Sequence, residues 1–172
     1  MWKRCGLILV FLMYITGCGA TSFDSKLPDT FMLQQGQTLE FLPVENVTGK
    51  TLEPAADQIF NEYMSGLLKE RKLLNLGGEP AVAVLKSKLI EYEPGNAFGR
   101  WLLPGLGTTA CTVDAELLEK ATGALIGRMQ SRQTVSIGGA YSIGADTYIC
   151  KRVADDLIKE IDKKVQGGSA GP

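Results

Sequence analysis

Histidine is absent from all 172 residues, and its absence excludes more chemistry than any residue present supplies. Without imidazole there is no Ser-His-Asp triad, no Cys-His pair and no His-ligated zinc. Charge of one sign is also lacking, with 18 Lys and Arg set against 19 Asp and Glu. No basic stripe interleaved with aromatic side chains runs along the chain, so nucleic acid is not an expected partner. Tryptophan is scarce, occurring only as Trp2 and Trp101. Long hydrophobic runs are missing too, because the amino-terminal stretch Leu7 to Ile15 is too short to span a bilayer stably.

That short run follows Lys3 and Arg4 and closes on Ile15-Thr16-Gly17-Cys18. A positive start, an apolar run and small residues before a cysteine form a secretion signal that ends in a lipobox. The expectation is removal of residues 1–17, acylation of the Cys18 thiol and a mature chain that begins at Cys18. Cleavage after Ala20, in the small triplet Cys18-Gly19-Ala20, and an uncleaved anchor are the competing readings. Three acyl chains, at about 0.8 kcal/mol per buried methylene, make such an anchor effectively permanent. Gly19 stands where an aspartate would, in enteric bacteria, favour the inner membrane. The expected place is therefore the outer membrane, facing the periplasm.

With Lys3 and Arg4 removed, 16 basic side chains face 19 acidic ones, and the formal charge moves from −1 to −3. The remaining length suits one domain with its own core. Of four cysteines, Cys5 leaves with the signal and Cys18 carries lipid, so Cys111 and Cys150 remain as an even pair. A disulfide between them would close a loop of about 40 residues and stabilise the fold by roughly 3 to 4 kcal/mol. Two small buried thiols are the alternative.

Residues 18–38 are mixed and polar and read as a flexible tether from Cys18, with Phe31-Met32-Leu33 as a short strand at most. Leu39 to Val44 predicts a strand. Pro54 stands at the start of a helix in which Ile59, Phe60, Tyr63, Met64, Leu67 and Leu68 fall on one face. Ala81 to Tyr92, rich in Val, Leu and Ile, predicts a second strand, followed by a glycine-rich connection to about Thr108. Along Thr109 to Leu117 apolar and polar residues alternate, as in a half-buried strand. Ala121-Thr122-Gly123 turns the chain into a partner strand, Ala124 to Ile137. After a second glycine-rich stretch, Gly138 to Gly144, Asp146 reads as the N-cap of a final helix that carries Ile149, Val153, Leu157, Ile161 and Val165 four apart. Residues 166–172 read as a disordered tail. The fold class is α/β (α+β), β-α-β-β-β-α: a mixed four-stranded sheet over 39–165 with two helices packed on one face.

The run Gly95-Asn96-Ala97-Phe98-Gly99-Arg100-Trp101-Leu102-Leu103-Pro104-Gly105-Leu106-Gly107, the strand around Asp114, Thr122-Gly123 and Gly138-Gly139 together resemble a family of bacterial lipoproteins that carry a domain of unknown function. The element order is also similar, at the level of fold, to the amino-terminal domain of TolB, to the lipoprotein activator of penicillin-binding proteins and to the periplasmic part of the curli secretion lipoprotein. These resemblances imply a non-catalytic envelope module that engages an envelope protein, or a homo-oligomeric subunit of an assembly or export complex.

Read for chemistry, Asp114 and Glu116 share one strand face, where they could serve acid-base work or hold a cation. As cross-strand partners of Arg128 or Arg132 they would instead form an ordinary wet face. No third ligand or nucleophile accompanies them, so no enzyme, metal or cofactor is expected. Gly105-Leu106-Gly107 precedes a strand and lacks a following Gly-Lys-Ser/Thr, so it is no phosphate loop. A connection longer than about 12 residues in a compact domain is usually functional or disordered, and Phe98, Trp101, Leu102, Leu103 and Leu106 disfavour disorder. These residues are expected either to fold back onto the core or to form an apolar contact surface with Arg100 at its rim, for a protein partner or the bilayer.

Overall fold

The structure is a computed structural model and describes residues 21–53, 55–77, 81–103, 105–136 and 143–165. The signal, Cys18 and the 166–172 tail lie outside the described residues, as do Pro54, Pro104 and most of the second glycine-rich stretch.

Alternation along the chain builds the sheet. Strand β5, Thr109–Glu119, buries Cys111, Val113, Ala115 and Leu117 on one side and turns Asp114 and Glu116 toward water. It pairs antiparallel with β4, Ala81–Glu93, and with β6, Leu125–Val135. The β5–β6 turn closes through Gly123, whose φ of +71° suits glycine. Strands β2, Thr38–Phe41, and β3, Glu45–Asn46, run parallel to β4 along its other edge. Helix α1, Ala56–Glu70, is the crossover that a parallel pair requires. Strand β1, Thr21–Ser25, pairs antiparallel with β6 and completes a six-stranded sheet.

Both long helices cover one face. Helix α1 turns Ala56, Phe60, Met64 and Leu68, each four residues apart, into the core. Helix α3, Ala145–Asp162, adds Ile149, Val153, Leu157 and Ile161. The two helices run side by side, joined on the outside by Tyr63 Oη to Asp155 at 3.2 Å and by Arg71 to Asp162 at 2.8 Å. Their apolar stripes close over Leu85, Leu89, Val113, Leu117 and Met129 of the sheet.

The α+β class stands, with six strands and three helices among the described residues in place of four and two. The flexible tether is corrected from Thr21 onward. Backbone pairing holds β1 against β6, Ser25 donates to Glu160 of α3 at 2.8 Å, and Leu27 and Leu33 are buried. The chain is therefore already paired into the sheet at Thr21, three residues on from Cys18 in sequence. Asp146 is not the cap of α3, since Gly144 occupies that position at φ +80° and Asp146 lies within the first turn. The expected disulfide is not formed in this structure. Cys111 and Cys150 are free thiols, both buried. The Cys150 side chain, together with burial, raises the Cys111 thiol well above its ordinary range.

The inner face carries one anomaly among the described residues: the Ser87 hydroxyl is buried with no hydrogen-bond partner. A buried donor without a partner costs about 1 to 3 kcal/mol. Ser87→Ala is therefore expected to raise the denaturant midpoint, with a gain of about 1 kcal/mol. Phe60→Ala, at a side chain 1% exposed, should lose about 3 to 5 kcal/mol in the same measurement.

Candidate interaction surface

The connection between β4 and β5 is an ordered tongue, built around a short helix α2, Ala97–Leu102. Asn96 starts this helix by accepting hydrogen bonds from the backbone of Phe98 at 2.8 Å and Gly99 at 3.2 Å. Two glycines then bring the ends of the tongue together. At Gly95, φ +68°, a Cβ would stand 2.5 Å from the Gly107 carbonyl oxygen. At Gly107, φ +72°, it would stand 2.5 Å from the Asn96 carbonyl oxygen. Only glycine allows both the left-handed backbone and this approach.

Arg100 locks the base. Its Nη1 donates to the Gly107 carbonyl at 2.8 Å and to Thr109 Oγ1 at 2.5 Å, and Thr109 Oγ1 in turn donates to the Pro94 carbonyl at 2.8 Å. Arg100 is 4% exposed, which corrects its expected place at the rim. It organises the tongue from inside. A further bond, Gly105 N to Ser136 O at 3.1 Å, ties the tongue to the end of β6.

The apolar residues face the other way. Phe98 and Trp101 are each 67% exposed, and Leu102, Leu103 and Leu106 are at least half exposed. The rings of Phe98 and Trp101 stand 5.8 Å apart in a tilted pair, so part of this surface is prearranged. The tongue thus inverts the usual order, with its one charged side chain inside and its large apolar side chains outside. Of the expected contact residues the structure brings Phe98, Trp101, Leu102, Leu103 and Leu106 together on one projection and removes Arg100 from it. Ile143, 73% exposed just before α3, was not singled out in the sequence because nothing marks a lone isoleucine beside glycines.

The open face of the sheet is polar and internally matched. Glu116 pairs with Arg128 at 2.9 Å, and Asp114 accepts from Gln130 at 2.5 Å. Glu91 takes two bonds from Arg132, at 2.9 and 3.1 Å, and one from Thr112 at 2.6 Å. The Arg132 bonds hold the Glu91 carboxyl below its ordinary range. A shallow hollow on this face is lined by Lys86, Lys88, Asp114, Glu116, Arg128 and Gln130. Asp114 and Glu116 there each meet a cross-strand partner, Gln130 and Arg128, as on an ordinary wet strand face. Among the described residues no group of His, Cys, Asp and Glu is placed to hold a metal ion, and no helix is long and apolar enough to cross a membrane.

No protein-family model matches the chain, and no curated protein matches it. Solved structures do. PelC from Paraburkholderia phytofirmans, a dodecamer, matches in one crystal form with TM-score 0.55 and 15% identity, over 80% of this chain and 97% of PelC. Its L103M form, also a dodecamer, matches with TM-score 0.52 and 17% identity over the same shares. Lipoprotein GNA1162 from Neisseria meningitidis matches at 12% identity over 72% of this chain and 99% of its own, with a TM-score of 0.35 that is too loose to argue from. At these identities the PelC likeness shows a shared fold. The expected likeness to TolB is not shown.

The geometry separates the tongue's outer residues from its inner ones. Trp101→Ala and Leu103→Ala should each change stability by no more than about 0.5 kcal/mol, as for surface positions. Arg100→Ala, which leaves buried partners at Gly107 and Thr109, should cost about 2 to 3 kcal/mol. Thermal or denaturant melts of the three variants check this, and a collapse of Trp101→Ala would return the tongue to the core.

Proposed function

We propose that this chain is a lipid-anchored bacterial envelope lipoprotein, held at the outer membrane facing the periplasm, whose α+β domain is a non-catalytic binding or accessory module for an envelope protein. The observation that carries the reading is the lipobox at Ile15-Thr16-Gly17-Cys18, placed three residues before the chain enters the sheet at Thr21. A domain so close to its anchor works at the membrane surface. Its distinctive chemistry supports contact rather than turnover: an ordered apolar tongue, and a sheet face on which Asp114, Glu116 and Glu91 are each taken up by cross-strand partners.

A second reading is supported by a specific observation, the shared fold with dodecameric PelC over 80% of this chain. Here the domain is a homo-oligomeric subunit of an envelope assembly or export complex, with contacts between copies through the glycine-rich loops. Light scattering after extraction in mild detergent separates the two readings, since the first expects a monomer and the second a ring of defined mass.

The anchor is tested directly. Intact mass of the mature protein should show loss of residues 1–17 and a gain of acyl chains, and Cys18→Ala should leave the signal attached or release the protein from the membrane fraction. A soluble wild-type chain cut after Ala20 would sink the reading. The cysteine pair is a second reporter of compartment. Because Cys111 on β5 and Cys150 on α3 are free thiols buried in the same core, an oxidising envelope should join them. Denatured, unreduced protein from the envelope should then titrate neither thiol, whereas a signal-less chain made in a reducing cytoplasm should titrate both.

A further inference from the structure

Four features converge on one end of the sheet. Strand β4 ends there at Glu93 and β5 begins at Thr109, so the tongue projects from that end. Strand β6 finishes there, with Val135 opposite Thr109. Helix α3 starts there, since Tyr92 Oη donates to the Asp146 carbonyl at 3.2 Å, which brings Ile143 to the same end. Strand β1 also begins there: Thr21 pairs with Gln133, two residues short of Val135. The described chain therefore starts beside the apolar tongue.

We infer that this end is a membrane-facing surface, in which Phe98, Trp101, Leu102, Leu103, Leu106 and Ile143 enter the interface of the same bilayer that holds the Cys18 lipid. The inference rests on the anchor reading above and adds the orientation and the contact residues. Chain length carries it. Thr21 is three residues on from Cys18, and a fully extended chain gains at most about 3.6 Å per residue, so the backbone of the acylated Cys18 stays within roughly 11 Å of Thr21. Strands lie about 4.8 Å apart, which puts the base of the tongue on β5 roughly 10 Å across the sheet from β1. Tongue and lipid are thus held close together.

Polarity agrees with that orientation. Between Glu93 and Thr109 the only charged residue is Arg100, and it is buried, so the tongue brings no exposed charge to the hydrocarbon boundary. At the opposite end α1 finishes with Lys69 and Glu70, followed by Arg71 and Lys72, and Lys120 and Lys163 are exposed nearby. Aromatic side chains beside leucines favour the boundary between headgroups and acyl chains.

The mature chain reports on itself, because removal of residues 1–17 takes Trp2 and leaves Trp101 as its sole tryptophan. The acylated protein is placed in vesicles of phosphatidylethanolamine and phosphatidylglycerol, with and without acyl-chain bromine, and Trp101 emission is recorded. The expected result is a blue-shifted maximum, protection from aqueous acrylamide and loss of emission with brominated lipid. Phe98→Ser with Leu103→Ser should weaken all three, whereas Leu76→Ser, at a 74% exposed leucine of the opposite end, should leave them unchanged. Emission of an acylated chain that stays acrylamide-sensitive overturns the inference alone. A blue shift without bromine quenching overturns it in favour of a second copy covering the tongue. A mature chain without acyl groups in the mass spectrum overturns the anchor reading and the inference together.

Discussion

Strand β5 sets the constraint from which the other parts follow. It is the central strand of an antiparallel trio, and its period of two divides the molecule into a dry and a wet side. Cys111, Val113, Ala115 and Leu117 require cover, and one helix is too narrow to provide it. Two helices are needed, and the parallel placement of β2 and β4 provides the first through the α1 crossover. The second, α3, follows β6. Because both helices lie on the same face, the charged residues of the opposite face have only one another as partners, and the cross-strand register gives Glu116 its Arg128 and Glu91 its Arg132.

The same arrangement determines where an irregular segment can project. Connections between strands must leave at the sheet's ends, and the tongue leaves at the end where β1 also begins. Its rigidity comes from a buried cation. A guanidinium group with five donors is costly to bury unless carbonyl and hydroxyl oxygens meet it. Gly107 and Thr109 provide those oxygens, with Thr109 held in turn by the Pro94 carbonyl, only because Gly95 and Gly107 allow the two ends of the tongue to touch. The apolar residues between them are then displayed, since their positions on α2 and the following turn point away from Arg100.

Much of the fold was legible in the sequence, for reasons that also explain the failures. The alternation of β5 and the four-residue spacing of Phe60, Met64 and Leu68, or of Ile149, Val153, Leu157 and Ile161, are patterns that burial on one face imposes. Strand β1 escaped because Thr21-Ser22-Phe23-Asp24-Ser25 is a polar edge strand held by backbone pairing, which leaves little periodic trace. Strand β3 is two residues long and too short to show a period. The tongue's apolar content and its unusual length were visible. The inward turn of Arg100 was not, because it depends on contacts between Gly95, Gly107 and Thr109 that no local pattern encodes. Asp146 looked like a cap by residue type, but the left-handed Gly144 two positions earlier fixed where α3 begins.

A lipid anchor at Cys18, as proposed, would change what an apolar tongue is for. Acyl chains would already hold the protein at the bilayer, so the tongue would not be required for affinity, and its contact with the interface would be an intramolecular event at high effective concentration. Under those conditions a bias of about 1.4 kcal/mol is a tenfold preference for one orientation. A handful of exposed leucines with Phe98 and Trp101 can supply that bias without threatening solubility before the chain reaches the membrane. In the inferred orientation the charged end containing Arg71 and Lys163 would point away from the bilayer, and the polar sheet face and β1, the last strand in the sheet order, would stand upright along the side. Those upright surfaces are what an envelope partner, or a second copy of the chain, would meet first.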